Sequence, residues 1–124
     1  LNVSPFRNTI VIAELTGSEI ICMLEFAVKI GALIGGWLHT SGLTCDFRGK
    51  NVRNILINGE KLVSDKIYTL STTDYIVSGG DGYSMFSNKK LVQTGFLLTD
   101  VISDFFKKNI LLKSYDSNKR IIRD

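Results

Sequence analysis

The chain has 124 residues, of which 44% are hydrophobic and 22% are charged, with a formal net charge of +3 at pH 7. This composition is typical of a globular protein that folds as a single domain, and it excludes a disordered chain. The weak positive charge disfavours a nucleic-acid-binding protein, and no apolar run approaches the ~20 residues that a membrane-spanning helix needs.

The chain begins with a predicted strand and helix. Residues 9–15 are rich in β-branched side chains, which predicts a largely buried strand. Thr16 and Glu19 have the spacing of a capping box, so we expect Thr16 to cap the helix that follows. Because glycine is preferred just past helix ends, we expect this helix to end at Gly35-Gly36.

Three further strands are predicted in the middle of the chain. Residues 37–47 and 51–62 have the composition of strands, and Asn58-Gly59 predicts a tight hairpin turn. Residues 66–77 form the third strand and lead into a glycine-rich loop.

A second helix is predicted over residues 98–109, and residues 119–124 are expected to end in an edge strand. Helices and strands mix here without strict βαβ alternation. The sequence therefore predicts a single α+β domain with a mixed sheet and two main helices.

The histidine and cysteine content disfavours a metal or nucleophile site. His39 is the single histidine, and Cys22 and Cys45 lack the Cys-x-x-Cys spacing of a structural zinc site. Neither cysteine has an activating neighbour in the sequence, so we expect no catalytic residue and no metal ligand in this chain. We expect His39 to be a partly exposed structural residue. The cysteines are either two buried free thiols or one disulfide.

Residues 72–86, TTDYIVSGGDGYSMF, contain the least ordinary motif of the sequence. Glycines permit positive φ and close approach of a ligand, and a carboxylate among them can accept hydrogen bonds from two adjacent hydroxyls, such as those of a ribose. The motif lacks the lysine of a phosphate-binding loop and the further acidic residues of a calcium loop. The alternative is a tight turn without a ligand, since Gly-rich turns that contain aspartate are common.

A second candidate is the aromatic ring of Phe6, which follows Pro5 just before the first predicted strand. A ring in an exposed loop can stack on a flat heterocycle. The alternative is that Phe6 belongs to the hydrophobic core.

Four segments, in order and spread over nearly the whole chain, resemble the C-terminal domain of the 5′-nucleotidase family. They are SPFRNTIVIAELTGSEI, SGL, NGEKL and TTDYIVSGGDGYSMF. The family includes bacterial UDP-sugar hydrolases, 2′,3′-cyclic-nucleotide phosphodiesterases and animal ecto-5′-nucleotidase. The resemblance implies one such domain over residues 1–124.

The resemblance also implies a role for particular residues. In the family, this domain binds the nucleoside part of the substrate, with the base between two aromatic rings and the ribose on an aspartate. Phe6 and Tyr75 match the two rings and Asp81 matches the aspartate, whereas Tyr83 is expected to pack in the core. The implied substrate-binding residues are Phe6, Asn8, Tyr75, Gly79, Gly80 and Asp81.

Catalysis is expected to depend on a domain upstream of this segment. The resemblance implies an N-terminal metallophosphoesterase domain that holds two divalent metal ions, with no cofactor on this segment, which alone is expected to be inactive. It also implies a periplasmic, cell-surface or secreted enzyme that acts on a nucleotide. Arg7 departs from the glycine of many relatives, which leaves open an effect on base preference or a contact with phosphate. The alternative function is a non-catalytic nucleoside-binding or structural module.

Overall fold

The structure is a computed structural model that describes residues 7–31, 38–108 and 121–123. Its helices within these ranges are α1 (Gly17–Ile30), α2 (Asp74–Val77) and α3 (Leu98–Lys108). Its strands within these ranges are β1 (Thr9–Thr16), β2 (Leu43–Arg48), β3 (Asn51–Ile57), β4 (Glu60–Lys61), β5 (Ile67–Thr73), β6 (Leu91–Leu97) and β7 (Ile121–Arg123). The predicted α+β class is confirmed, and the described strands form two sheets, in the orders β5-β1-β6 and β4-β3-β2-β7.

The described residues belong to two compact units, one of which contains residues 7–14 and 69–108. Its sheet has β1 at the centre, and β1 pairs with β6 in antiparallel register from Thr9 opposite Leu97 to Ala13 opposite Leu91. Burial alternates along β1, because successive side chains of a strand point to opposite faces: Val11 and Ala13 are fully buried, and Ile12 between them is 36% exposed. The predicted strand is confirmed, with full burial on one face.

The second unit contains residues 15–31, 38–68 and 121–123, and its helix α1 begins with the predicted capping box. The N–H of Glu19 donates to Oγ1 of Thr16 at 3.3 Å, and the N–H of Thr16 donates to Oε1 of Glu19 at 2.8 Å. These two bonds satisfy backbone donors that have no partner inside the helix. The buried residues of α1 are Gly17, Ile20, Met23, Leu24 and Ala27.

The predicted end of α1 at Gly35-Gly36 is wrong, because the helix ends at Ile30. Gly31 adopts a φ of 74°, which favours glycine, and its N–H donates to the carbonyl of Ala27 at 3.1 Å. The apolar residues after Gly31 continue the helical pattern in the sequence and obscured this boundary. Gly35 and Gly36 themselves lie outside the described residues.

The sheet of the second unit is built on β2 and β3, which pair in antiparallel register from Leu43 opposite Ile57. The strand predicted over residues 37–47 begins only at Leu43, because Gly42 has a φ of 78° and Thr40 Oγ1 donates to the carbonyl of Leu43 at 2.9 Å. β7 pairs with β2 in parallel at the edge of this sheet, as the predicted edge strand requires.

The predicted hairpin turn at Asn58-Gly59 is confirmed, and it divides the strand predicted over 51–62 into β3 and β4. Asn58 and Gly59 have φ values of 51° and 84°. Two successive positive φ values match the right-handed twist of the flanking strands, which is why Asn-Gly is favoured at such turns.

Two predicted elements remain. The strand predicted over residues 66–77 ends at Thr73, and the prediction is wrong for residues 74–77, which form the short helix α2. The helix predicted over residues 98–109 is confirmed as α3.

Candidate functional site

The glycine-rich loop begins with α2 and continues into a 3₁₀ turn at Gly80–Gly82. Oγ1 of Thr73 accepts a hydrogen bond of 3.5 Å from the N–H of Ile76, which caps α2 and ends β5. Gly79 then adopts a left-handed conformation (φ 97°, ψ 14°) that reverses the chain direction, and its carbonyl accepts from the N–H of Gly82 at 3.0 Å. The loop is therefore a hydrogen-bonded turn and not an extended segment.

Asp81 is at the tip of this turn with a φ of 55°, a left-handed value that is uncommon for residues other than glycine, asparagine and aspartate. Its side chain is exposed, and its Oδ1 accepts a hydrogen bond of 2.8 Å from the hydroxyl of Tyr75. Because this bond stabilises the protonated phenol, the pKa of Tyr75 lies above its ordinary value of 10.0. The structure thus brings Tyr75 and Asp81, two predicted site residues, into direct contact.

Gly80 is in contact with the ring of Tyr75, which remains 48% exposed. A Cβ added at Gly80 would lie 2.5 Å from ring atoms Cδ2 and Cε2 of Tyr75 and 2.5 Å from its carbonyl oxygen. No side chain other than hydrogen fits there without moving the ring or the backbone. Gly79 therefore reverses the chain through its left-handed conformation, whereas Gly80 avoids a steric clash with the ring of Tyr75.

Tyr83 and Phe86 anchor the loop in the core on its carboxyl-terminal side. They are 0% and 2% exposed, which confirms that Tyr83 is a packing residue. Burial, with a smaller contribution from the negative charge of Asp81, raises the pKa of Tyr83 to about 12. Asp81 is two residues before the buried Tyr83 in the chain. Tyr83 therefore restricts the backbone position of Asp81, although the Asp81 side chain is exposed.

Two hydrogen bonds hold the first residue of β1 and the residue before it, one to a side chain of α2 and one to the backbone of α3. The N–H of Thr9 donates to Oδ1 of Asp74 at 3.1 Å, and the N–H of Leu98 donates to the carbonyl of Asn8 at 2.8 Å. Asn8 is half-buried and Arg7 is exposed. Asn8 thus participates through its backbone, whereas Phe6, the predicted partner of Tyr75, lies outside the described residues.

Asp74 is the residue that the sequence interpretation missed. Its Oδ1 accepts hydrogen bonds both from the N–H of Thr9 and from the N–H of Tyr75, the second at 2.9 Å. It therefore links the first residue of β1 to the helix that presents the tyrosine. The available signal was local: an aspartate that directly follows a helix-capping threonine is well placed to bond free N–H groups in the first turn.

The other candidate side chains belong to the second unit. His39 is exposed, and Cys22 and Cys45 are both free thiols, the first exposed and the second buried. The prediction of two buried thiols is therefore correct for Cys45 only. Burial and the neighbouring charge of Asp46 raise the pKa of the Cys45 thiol to about 11, so it stays protonated and inert at neutral pH.

Comparisons with known proteins agree on one family. Residues 1–88 match the family described as 5′-nucleotidase, C-terminal domain. The chain is 32% identical over 110 residues to Protein UshA of Yersinia enterocolitica, covering 88% of this chain and 20% of that protein. It is 31% identical over 123 residues to a 5′-nucleotidase of Diplobatis ommata, covering 87% of this chain and 21% of that protein.

The fold of this chain is also similar to that of a solved 5′-nucleotidase. The crystal structure of a 5′-nucleotidase precursor from Thermus thermophilus superposes with a TM-score of 0.83 and 27% identity, over 98% of this chain and 26% of that one. The chain thus spans about a fifth of the length of the curated relatives that it matches.

Proposed function

Because the chain belongs to the family of 5′-nucleotidase C-terminal domains, we propose that it binds the nucleoside part of the substrate of a nucleotide phosphohydrolase. The observation that carries this proposal is the pairing of an exposed aromatic ring with an exposed carboxylate, Tyr75 and Asp81, on one turn. A nucleoside offers the complementary pair, a flat base and a sugar with adjacent hydroxyls.

The ring of Tyr75 is proposed to stack on the base. It is half exposed, and its orientation is fixed at two points, by the hydroxyl at Asp81 and by the ring edge at Gly80. A ring held in this way loses little conformational freedom when a base stacks on it, so most of the stacking energy is available for binding.

Phe6 is proposed as the second ring, on the opposite face of the base. It is three residues before Thr9, whose N–H is bound to Asp74, the neighbour of Tyr75 in sequence. Three residues of extended chain span at most about 11 Å. Phe6 can therefore be no further than this from Thr9, which supports its proposed pairing with Tyr75 on the same base.

Asp81 is proposed to accept hydrogen bonds from the ribose hydroxyls. Its Oδ1 already accepts one bond, from Tyr75, and a carboxylate oxygen has two acceptor sites. One site on Oδ1 and both sites on Oδ2 remain for two adjacent hydroxyls. Bonds to an ionised acceptor are stronger than bonds between neutral groups, which favours aspartate at this position.

Hydrolysis is proposed to occur on a metallophosphoesterase domain of the same protein with two divalent metal ions, as the family resemblance implies. In the described part of the chain, no group of three histidine, cysteine, aspartate or glutamate residues is placed to hold a metal ion. The described residues therefore do not fit such a centre, and we assign them only to binding and positioning of the nucleoside.

We also propose a periplasmic, cell-surface or secreted location, again from the family resemblance. Within the described ranges, the helices are all too short or too polar to cross a membrane. The proposed partners are a nucleotide and the phosphoesterase domain.

Alanine and aromatic replacements of the two rings test the proposed function in the full-length protein. We expect Tyr75→Ala and Phe6→Ala each to lower kcat/KM for a nucleoside monophosphate about five- to a hundredfold, the range expected for loss of one stacked ring. Tyr75→Phe and Phe6→Tyr keep a ring at each position, and each should lose less activity than the matching alanine variant. Unchanged kcat/KM in both alanine variants would show that neither ring contacts the base.

A further inference from the structure

We propose that the hydroxyl of Tyr75 is a specificity-determining group that positions the Asp81 carboxylate for the ribose, in addition to the stacking role of the ring. This inference rests on the proposed function, because it assigns the orientation of the same carboxylate.

The backbone around Asp81 gives the first reason for such a group. Asp81 is flanked by Gly79, Gly80 and Gly82, and two of these, Gly79 and Gly82, have positive φ values of 97° and 89°. Because glycine has no side chain, the immediate neighbours of Asp81 in the chain offer its carboxylate no group to pack against.

The hydroxyl of Tyr75 orients this carboxylate. It donates to Oδ1 of Asp81 at 2.8 Å, a short hydrogen bond to an ionised acceptor. The bond connects the tip of the turn to α2, whose first turn is held by the Asp74 carboxylate and by the Thr73 cap. Asp81 is thus attached to a hydrogen-bonded element through its side chain.

The same bond determines which carboxylate sites remain. With one site of Oδ1 occupied by the phenol, Oδ2 stays fully available and Oδ1 keeps one site. Two adjacent hydroxyls can then bond to the two oxygens side by side. Fixing the carboxylate before the sugar arrives lowers the entropic cost of that contact. A tyrosine phenol has an ordinary pKa of about 10, so it is protonated and able to donate throughout the neutral pH range.

Tyr75→Phe in the full-length protein tests the proposal, because it removes the hydroxyl and keeps the ring. The readout is the ratio of kcat/KM for a ribonucleoside monophosphate to kcat/KM for its 2′,3′-dideoxy analogue with the same base. Stacking is common to both substrates and cancels in the ratio. We expect Tyr75→Phe to lower this ratio about three- to tenfold, the net size of one typical hydrogen bond in a protein.

A double-mutant cycle with Asp81→Gly shows whether the hydroxyl acts through the carboxylate. Glycine accepts the φ of 55° and removes the side chain. We expect Tyr75→Phe to have no further effect on the ratio in the Asp81→Gly protein, because coupled residues are not additive. Additive effects would overturn a role that acts through Asp81.

The outcomes separate this inference from the proposed function. If Asp81→Gly abolishes the preference for ribose and Tyr75→Phe leaves the ratio unchanged, the proposed function stands and the inference is wrong. A ratio that rises in Tyr75→Phe would show that the hydroxyl competes with the ribose, which also overturns it. If Asp81→Gly itself leaves the ratio unchanged, the ribose assignment of the proposed function is wrong, and the inference with it.

Discussion

The backbone N–H of Thr9 donates a hydrogen bond of 3.1 Å to the carboxylate of Asp74, 65 residues further along the chain. This contact joins the segment that follows the Pro-Phe motif to the helix that presents Tyr75. The same carboxylate oxygen accepts from the N–H of Tyr75 at 2.9 Å. One side chain thus satisfies a donor on each of the two segments that we propose to contact the base.

Asp74→Ala should therefore destabilise the protein by about 1–3 kcal/mol, because it leaves the part-buried N–H of Thr9 without its acceptor. Asp74→Asn is the matched control: it keeps an oxygen at the same position and should lose much less. Urea denaturation of both variants measures the difference. Equal midpoints for Asp74→Ala and the unmodified protein would show that this contact does not stabilise the fold.

Thr16→Ala should lower the free energy of unfolding by about 0.5–2 kcal/mol, the usual cost of losing a helix N-cap. Oγ1 of Thr16 accepts the N–H of Glu19, and alanine offers no acceptor. Thr16→Ser retains the hydroxyl and should remain close to the unmodified protein. A shared denaturation midpoint for the alanine and serine variants would contradict the capping role.

Gly80→Ala should displace the ring of Tyr75 and destabilise the loop by about 1–3 kcal/mol, as overpacking does elsewhere. The added methyl would meet both the ring and the carbonyl oxygen of Tyr75 at 2.5 Å, and the carbonyl cannot rotate away. Gly49→Ala separates crowding from strain, since Gly49 has a φ of 61° but open space around its Cβ position. The NMR signals of the Tyr75 ring should shift in Gly80→Ala and should be unchanged in Gly49→Ala. Unchanged Tyr75 signals in Gly80→Ala would contradict the contact between Gly80 and the ring.

Features set by residues close in sequence were predictable. The capping box at Thr16, the Asn58-Gly59 turn and the burial of Tyr83 all follow from local pattern or side-chain type, and the structure confirms them. The family resemblance located Tyr75 and Asp81, which the structure brings into contact.

Features that depend on contacts between distant segments, or on very short elements, were not predictable. Asp74 contacts Thr9, which is 65 residues away in the sequence, and no local pattern indicates that the two residues are close in space. Helix α2 has only four residues, too few for a helical period, so its apolar residues were assigned to the preceding strand. The end of α1 at Gly31 was not predictable because the apolar residues that follow continue the helical pattern in the sequence.

The 124-residue chain by itself should not hydrolyse nucleotides, whichever divalent metal ion is added. Its sequence contains one histidine and no recognisable nucleophile motif, and dimetal hydrolysis needs several ligands at one point. Phosphate release by the purified chain measures this, with a chain purified in parallel as Asp81→Asn to reveal a contaminant. Metal-dependent release that exceeds background and disappears in the variant would contradict the assignment of catalysis to another domain.

Asp81→Asn in the full-length protein tests most directly whether this loop binds the sugar of a nucleoside. Asparagine tolerates the positive φ of 55° and has the same shape, but it is uncharged and has an NH2 donor in place of one acceptor oxygen. We expect kcat/KM for a ribonucleoside monophosphate to fall about tenfold, because hydrogen bonds to an ionised acceptor are the stronger ones. kcat/KM for the 2′,3′-dideoxy analogue should stay within about twofold, since that sugar offers no hydroxyls to the carboxylate. An equal fall for both substrates, or no fall for either, would contradict a ribose contact at Asp81.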